Sequence, residues 1–411
     1  MKITIKTKIS INVYTIIFLL SLIVMLYYFL PITASVLTAS MMLGVLGILY
    51  FMIFINSNWK SRKEVFGYLL LICSLGIVFC VREYYKEGII GVYSILLVFF
   101  PIFLAFFLFN KEKYEMLKKL AVAVLLMLVI TGITTFAGLI VYPELARDLA
   151  AFSNDNIIGI STRYNIGGYD IVYCVVLAIP LYCLVIEKKV TAGIKKFLEI
   201  LIFIISLIFI VKTQYTTAML LGIVSCGMII VIRKFDIKRL GVLALLGLVI
   251  LSVYKGEISN GLIKASYNIE SQSISQRLEE LSKSLDGGKV TGEDMTERGN
   301  AYGKSIEAFS EHPILGTWIS SDNIELGGHS TILDLMAGVG LPGFLLILYT
   351  FFYIEKLLLS RVENEITRKY VGIFLVIYTI LAIANPIISG TFFCVLFIGL
   401  SGVTLMEKNS L

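Results

Sequence analysis

The sequence predicts an all-α protein, a polytopic membrane bundle of about 12 transmembrane helices with one large extracytoplasmic loop between helices 9 and 10. Three observations predict this fold class. The 411-residue chain is 58% hydrophobic and only 16% charged, and its mean hydropathy is +0.89. Apolar runs of roughly 18 or more residues, long enough to cross about 30 Å of hydrocarbon, recur along nearly the whole chain. The alternating segments that a membrane β-barrel requires are absent from the sequence.

Twelve apolar spans follow one another along the chain. They lie at 11–30, 35–56, 66–81, 89–109, 119–141, 168–186, 196–212, 214–232, 240–254, 331–354, 370–385 and 389–406. Each is expected to be a helix, because every backbone polar group in lipid must be satisfied within its own segment. The chain is then a single integral domain in three parts. Residues 1–254 hold helices 1–9 with an outer loop at 142–168, residues 255–330 form the large loop, and residues 331–411 hold helices 10–12.

The distribution of Lys and Arg predicts the orientation. With the N-terminus in the cytoplasm, the inner segments hold 23 basic residues and the outer segments hold 12, of which seven lie in the long 255–330 loop. Long loops are largely exempt from the positive-inside rule, so the short segments decide the orientation. We therefore expect a multi-pass membrane protein with both termini cytoplasmic and the 255–330 loop outside. The net charge of +6 reflects topology and does not indicate a nucleic-acid partner.

The 255–330 loop is the only long polar segment, and its pattern predicts a folded loop. It contains twelve Asp/Glu against seven Lys/Arg, and both histidines of the protein. Apolar stripes predict two amphipathic helices, one over Ser273–Leu285 and one over Asn300–Glu311. In the second helix the predicted buried stripe consists of Tyr302, Ile306 and Phe309.

The motifs that could carry chemistry lie at the end of this loop and in the following span. Arg298 begins the second loop helix, and His312 followed by Pro313 ends it. His329 stands just before the tenth span, which is interrupted by glycines and a proline at Gly338–Gly343. Such a break is tolerated where the backbone is buried in protein or lines a cavity. We therefore expect the loop and the broken helix to surround a polar cavity at the outer face.

These motifs resemble the O-antigen ligase and polysaccharide polymerase family of integral membrane glycosyltransferases, which have a GT-C-like fold. The family pattern is an Arg, a helix, Asn/His-Pro-x-x-Gly, a His near the start of the next span, and a Gly-x-x-Gly turn within that span. Arg298, His312–Gly316, His329 and Gly340–Gly343 match this pattern in order and spacing. Arg163, at the outer mouth of the sixth span, is similar to a second loop arginine of the family.

The resemblance implies a glycosyltransferase that polymerises a surface polysaccharide, either O-antigen or capsule. The donor would be an oligosaccharide on undecaprenyl pyrophosphate, and the acceptor a lipid-linked repeat unit in the same membrane. That membrane would be the bacterial inner (cytoplasmic) membrane. The implied reaction is inverting, needs no metal and uses no cofactor. It leaves room for a chain-length regulator as a partner.

The six cysteines all lie in apolar runs without metal-type spacing, which predicts small core residues.

The resemblance also implies roles for individual residues. Arg163 and Arg298 would bind the pyrophosphate, since a guanidinium is permanently charged and matches phosphate oxygens. His329 would accept the proton of the acceptor hydroxyl, since histidine side chains titrate near neutral pH. Further candidates for substrate binding are Asp170 and Lys212, which lie near span ends.

Two other positions, Tyr302 and Thr216, bear on which residues bind the substrate. Tyr302 in the loop is also a candidate for substrate binding, because aromatic rings stack on sugars. Thr216 stands where the family often has an arginine. Either Lys212 supplies the missing charge or the contact is absent, and the sequence leaves both open.

Each candidate also has a structural interpretation. Arg163 could anchor the chain among lipid headgroups, Arg298 could pair with a loop carboxylate, and His329 could cap the tenth helix. Asp170 and Asp334 could simply face water, although ionisable groups at such depth are often functional. These alternatives remain open at the level of sequence.

Two other activities also remain open. The first is ligation of a finished polymer to lipid, catalysed by an O-antigen ligase. The second is transport, by a lipid-linked oligosaccharide flippase. Transporters usually show internal repeats with the binding site near the midplane, and this sequence shows neither. A flippase would also need basic residues facing both leaflets, rather than Arg163, Arg298 and His329 on one face.

Overall fold

The fold was analysed in a computed structural model of the chain. The structure describes residues 12–76, 89–151, 155–232, 255–267, 275, 279, 282, 293–318, 324 and 326–406. All regular elements within these residues are helical, which confirms the all-α part of the predicted fold class. Within the same residues, six helices are long and apolar enough to cross a membrane. The count of twelve spans stays a prediction, since the ninth predicted span, 240–254, lies outside the described residues.

Fifteen helices are named here in chain order. They are α1 (Val13–Phe29), α2 (Ala39–Asn56), α3 (Arg62–Leu75), α4 (Ile89–Asn110), α5 (Tyr114–Val141), α6 (Leu145–Ala151), α7 (Asp155–Tyr164), α8 (Tyr169–Lys189), α9 (Ala192–Thr213), α10 (Thr216–Ile232), α11 (Lys255–Tyr267), α12 (Glu293–Glu311), α13 (Thr331–Leu358), α14 (Glu365–Ala384) and α15 (Gly390–Thr404). A short 3-10 helix, Pro31–Ser35, follows α1. Helix α15 contains a π-helical segment at Cys394–Leu400.

Helix α8 lies at the centre of the bundle. It packs against α5, α9, α10, α14 and α15, and nearly all its residues between Ile171 and Leu184 are buried. A helix that is apolar on every side is stable only when other apolar elements surround it. By contrast, α2, α5 and α13 leave large apolar side chains exposed, among them Phe51, Leu126 and Leu348. This is the pattern of helices that face lipid.

One end of the bundle gathers segments that the sequence predicts to be cytoplasmic. Lys188 Nζ donates hydrogen bonds to three backbone carbonyls at the end of α15, at Val403, Thr404 and Met406 (3.2, 2.6 and 2.9 Å). Carbonyls at the C-terminus of a helix carry the negative end of the helix dipole, which a cation stabilises. At the same end, Lys111 lies 3.8 Å from Glu64.

The opposite end gathers the predicted outer segments. The backbone N–H of Ile32 donates to Asn165 Oδ1 at 3.2 Å, joining the 3-10 helix to the segment after α7. The Tyr215 hydroxyl donates to the Ala146 carbonyl at 2.6 Å, which joins the α9–α10 turn to α6. The chain therefore has two polar ends separated by an apolar bundle, and each end collects segments that alternate along the sequence.

The second predicted loop helix is present, and its buried face differs from the prediction. Helix α12 ends at Glu311, as the His312–Pro313 signal predicts, and begins earlier than expected, at Glu293. Its buried residues are Ala301, Ser305 and Ala308, whereas Ile306 is 52% exposed. Small side chains allow the backbone of the 327–330 turn to approach α12 closely, so the small-residue face is buried instead of the bulky one. The first predicted loop helix, 273–285, lies largely outside the described residues.

The break in α13 is confirmed, and backbone from the loop after α12 packs into it. The polar cavity expected around it stays a prediction. Gly340 has φ 68° and ψ 175°, which interrupts the helix. The freed carbonyls of Ala337 and Gly338 accept hydrogen bonds from the backbone N–H groups of Thr317 and Trp318, both at 2.9 Å. The loop that follows α12 therefore supplies the missing backbone partners, as buried backbone requires.

The two motifs that meet here are glycine-rich because their backbones touch. A Cβ atom on Gly340 would overlap the Ile314 carbonyl, and a Cβ on Gly316 would overlap the backbone of Gly338. Both Gly340 and Gly316 also have positive φ, a region that glycine adopts without steric cost. The His312–Gly316 segment and the interrupted span thus form one structural unit that holds α12 against α13.

Candidate functional site

His329 lies in a short turn between the 255–330 loop and α13. Gly328, just before it, has φ 69°, and Ser330, just after it, is the N-cap of α13. The Ser330 hydroxyl accepts a hydrogen bond from the Leu333 backbone N–H at 3.3 Å. Ser330 therefore caps the helix, and the alternative in which His329 is the cap is wrong. The imidazole of His329 is exposed.

A carboxylate beneath this turn accepts hydrogen bonds from both of its flanks. Asp334 Oδ1 accepts from the Gly328 backbone N–H at 3.3 Å, and Oδ2 accepts from the Ser330 backbone N–H at 3.2 Å. The carboxylate is in the first turn of α13, where the helix dipole favours a negative charge. Asp334 therefore binds its own loop backbone, and the interpretation in which it only faces water is wrong.

Ser305 connects the same carboxylate to α12. Its hydroxyl donates to Asp334 Oδ1 at 2.6 Å and accepts from the Gly327 backbone N–H at 3.0 Å. Gly327 lies directly on the Ala301 carbonyl, so that any Cβ atom there would overlap it. One buried hydroxyl and one carboxylate thus hold three backbone N–H groups of the turn, which leaves His329 exposed on a fixed backbone.

Tyr302 also lies beside this turn, on α12. Its hydroxyl donates to the Ala384 carbonyl at the end of α14, at 3.0 Å. Arg298 occupies the preceding turn of α12, four residues earlier on the same helix. Residues at this spacing lie on one side of a helix. The conformation of the Arg298 side chain lies outside the described part of the chain.

Arg163 lies on α7, at the same polar end of the bundle. It is exposed, and its guanidinium carbon is 5.6 Å from the centre of the Tyr164 ring. The Tyr164 ring in turn contacts Tyr142, with the ring centres 5.6 Å apart. The Tyr142 hydroxyl donates a hydrogen bond to Tyr164, which raises the pKa of Tyr142 above its usual value, and the nearby Arg163 charge opposes this shift. Arg163 thus lies against an aromatic pair that limits its positions.

The other two predicted site residues, Asp170 and Lys212, lie at the same end. Asp170 is in the first turn of α8, and its carboxylate lies close to the Ser389 side chain. Lys212 is in the last turn of α9, just before Gln214, which has φ 61°. The Tyr215 bond to α6 attaches this turn to the outer segment that also contains Arg163.

Residues 385–389 lie between the His329 turn and Asp170. The Asn385 carbonyl accepts hydrogen bonds from the Thr331 backbone N–H (3.2 Å) and hydroxyl (3.1 Å), two residues after His329. At its other end the segment reaches Asp170 through Ser389. Among the described residues, no hydrogen bond or ion pair joins Arg163 to His329. The direct meeting of Arg163, Arg298 and His329 therefore stays a prediction.

A comparison with protein-family models and with curated proteins finds no match to this chain. The assignment to the O-antigen ligase and polymerase family therefore stays a prediction, based on the order of the motifs. The structure adds that two of those motifs, His312–Gly316 and Gly340–Gly343, are in direct backbone contact.

Several residues at this site were not predicted from the sequence. Ser305 has no sequence signal apart from its place among small residues on one side of α12. Asn385 is 3% exposed, and its Nδ2 atom has no hydrogen-bond acceptor among the described residues. Asp334 could have been linked to the turn from the sequence, because backbone N–H groups at a helix start lack helical partners and favour a carboxylate in the first turn. In the described ranges no group of three or more His, Cys, Asp or Glu side chains could hold a metal ion.

Proposed function

We propose that the protein is a membrane glycosyltransferase that polymerises a surface polysaccharide. It would transfer an oligosaccharide from an undecaprenyl-pyrophosphate donor to a second lipid-linked repeat unit. The observation that carries this proposal is the His329 turn, in which an exposed imidazole stands on a backbone fixed by Asp334 and Ser305. A catalytic base works best when its geometry is set before the substrate binds.

The reaction proposed for this site is a single displacement. His329 accepts the proton of the acceptor hydroxyl while that oxygen forms a bond to the anomeric carbon of the donor sugar. The bond between the anomeric carbon and the pyrophosphate oxygen breaks, and undecaprenyl pyrophosphate leaves with the bonding electron pair. Attack from the opposite face inverts the anomeric carbon.

Arg163 and Arg298 are proposed to bind the leaving pyrophosphate. Negative charge accumulates there as the glycosidic bond breaks, and fixed cations at that position lower the barrier. The contact of Arg163 with the Tyr164 ring supports this role, because it restricts the guanidinium without neutralising it. Tyr302 and the buried Nδ2 of Asn385 are candidates to contact sugar, as an aromatic face and a hydrogen-bond donor beside the His329 turn.

The decisive experiment uses the two histidines of the chain as a matched pair. Purified protein is incubated with lipid-linked repeat units, without added metal, and the products are separated by chain length. Wild type and His312→Gln should form oligomers, because His312 lies in the turn that ends α12. His329→Gln should form none at equal protein level. A series of oligomers from His329→Gln would refute the proposal. Movement of the lipid-linked unit across a vesicle membrane without formation of a new glycosidic bond would refute it as well.

A further inference from the structure

The end of the bundle that is predicted to be cytoplasmic, opposite to the end that holds His329, contains a cavity of about 740 Å³. It lies between the start of α1, the α4–α5 turn and the loop that joins α13 to α14. Its lining includes the basic side chains Lys113, Lys118, Lys119 and Arg361 and the acidic side chains Glu112 and Glu115. The cavity is therefore polar and carries an excess of positive charge.

Aromatic rings hold two of these cations at the cavity wall. Lys113 Nζ lies 4.4 Å from the centre of the Tyr14 ring, and Arg361 Cζ lies 4.2 Å from the centre of the Tyr114 ring. Cation–π contacts orient a charge without neutralising it. Within the described part of the chain, neither Arg361 nor Lys119 has a carboxylate within salt-bridge distance. Both remain available to an anion.

An exposed apolar strip continues from the cavity along the bundle surface. Leu19 on α1 lies one turn from Thr15, which lines the cavity, and is 54% exposed. On α5, Val122 and Leu126 follow Lys119 at helical spacing and are 42% and 57% exposed. Val122 itself lines an adjoining cavity together with Lys119. Because α1 and α5 pack against each other, the basic cavity and the apolar strip form one amphipathic surface.

We propose that this surface is a binding site for an anionic glycerophospholipid. The lipid phosphate would contact Lys119 and Arg361, and its acyl chains would lie along Leu19, Val122 and Leu126. A soluble anion would use only the basic side chains of the cavity. An anionic lipid would use both these side chains and the adjoining apolar strip, so the surface fits a lipid. Basic pockets beside membrane helices are suited to such headgroups. The site lies at the other end of the bundle from His329 and does not depend on the proposed glycosyltransferase activity.

The test measures lipid binding to the full-length, delipidated protein by native mass spectrometry. The probes are phosphatidylglycerol, phosphatidylcholine and soluble glycerol phosphate. The variant is Lys119→Gln combined with Arg361→Gln, and Lys119→Gln alone serves as a milder change at an exposed side chain. The matched control is Lys60→Gln combined with Lys369→Gln, which removes two charges at the same end outside the cavity.

Wild type and the control pair should bind phosphatidylglycerol more tightly than phosphatidylcholine and should not retain glycerol phosphate. Binding should weaken about fivefold for each charge removed and about 30-fold for the pair, since each basic residue near an anionic headgroup contributes about this factor. Equal binding of the two lipids would overturn the proposal. Unchanged binding in the double variant, or tight retention of glycerol phosphate, would do the same.

Discussion

The Ser305 hydroxyl donates a hydrogen bond of 2.6 Å to Asp334 Oδ1, joining the outer helix α12 to the first turn of α13. Ser305 is 1% exposed and also accepts the Gly327 backbone N–H. A buried hydroxyl that uses both its donor and its acceptor capacity stabilises a specific geometry, because removing it leaves each partner unpaired. The relationship explains how a polar loop presents His329 on a fixed backbone.

Replacement of Ser305 by Ala should therefore loosen the His329 turn. The variant loses two hydrogen bonds and leaves the half-buried Gly327 N–H without its Ser305 partner, at a cost of about 1–3 kcal/mol. Hydrogen exchange measured by mass spectrometry should become faster in residues 326–330. Ser310→Ala on the same helix is the control, because the Ser310 hydroxyl bonds only to its own helix at Ile306. Equal exchange in the two variants would contradict the role given to Ser305.

Replacement of Asp334 by Asn should impair catalysis more than substrate binding. The amide nitrogen would place a donor against donors from Ser305, Gly328 or Ser330, so the turn would lose at least one bond. We expect kcat of the proposed transfer to fall about tenfold or more with little change in KM, since positioning of a base acts on the chemical step. Asp334→Glu should recover part of the activity. A change confined to KM would contradict a positioning role.

Much of the fold could be predicted from the sequence, because membrane helices are recognised by the length and apolar character of their segments. The helix end at Glu311 and the break at Gly340 were also predictable, since Pro and Gly impose backbone constraints that do not depend on partners. The buried face of α12 was not predicted correctly, because large apolar side chains were expected to be the buried ones. Close backbone approach instead favoured Ala301, Ser305 and Ala308.

The candidate site shows the same division between local and tertiary information. Ser330 and Asp334 lie one turn apart, so their reciprocal capping is a local property that the sequence contains. Ser305 reaches Asp334 from 29 residues away, and no local pattern specifies that pair. Likewise, the sequence predicts that the Gly338–Gly343 break needs backbone partners, and it does not say that Thr317 and Trp318 supply them.

Replacement of Arg163 by Ala should stop formation of long polysaccharide chains while the protein remains in the membrane. The guanidinium is exposed, so its loss should leave the fold intact, whereas the proposed contact with the pyrophosphate would disappear. Chain-length ladders from cells with matched expression are the measurement. Arg147→Ala, in the neighbouring helix α6, is the control. Normal ladders from the Arg163 variant would remove this residue from the mechanism.

Replacement of Lys188 by Met should destabilise the bundle without changing the outer site. Three carbonyls at the end of α15 would lose the Lys188 donor, although the Val403 carbonyl keeps the Met406 backbone N–H. About 1–3 kcal/mol is expected for leaving buried acceptors such as the Thr404 carbonyl without that donor. Lys189→Met, one residue later and exposed, is the control. Thermal unfolding in detergent should show a lower midpoint for the Lys188 variant alone.

Replacement of Gly340 by Ala should be the most destabilising of these changes. A methyl group there overlaps the Ile314 carbonyl, and the combination of φ 68° with ψ 175° adds about 1–3 kcal/mol of backbone strain for a non-glycine residue. The loop from His312 to Gly316 would have to leave the break, which also removes the partners of Ala337 and Gly338.

Gly372→Ala in α14 is the matched control for this change. Among the described residues, and apart from its chain neighbours and its own helix backbone, no heavy atom lies within 4 Å of the position that its Cβ would occupy. Alanine should therefore be neutral or stabilise the helix by about 0.5–1 kcal/mol. Thermal unfolding of the two variants in detergent should therefore move the midpoint in opposite directions, or only for Gly340. A Gly340 variant as stable as wild type would show that the loop can leave the break without cost, and that α12 is held against α13 by other contacts.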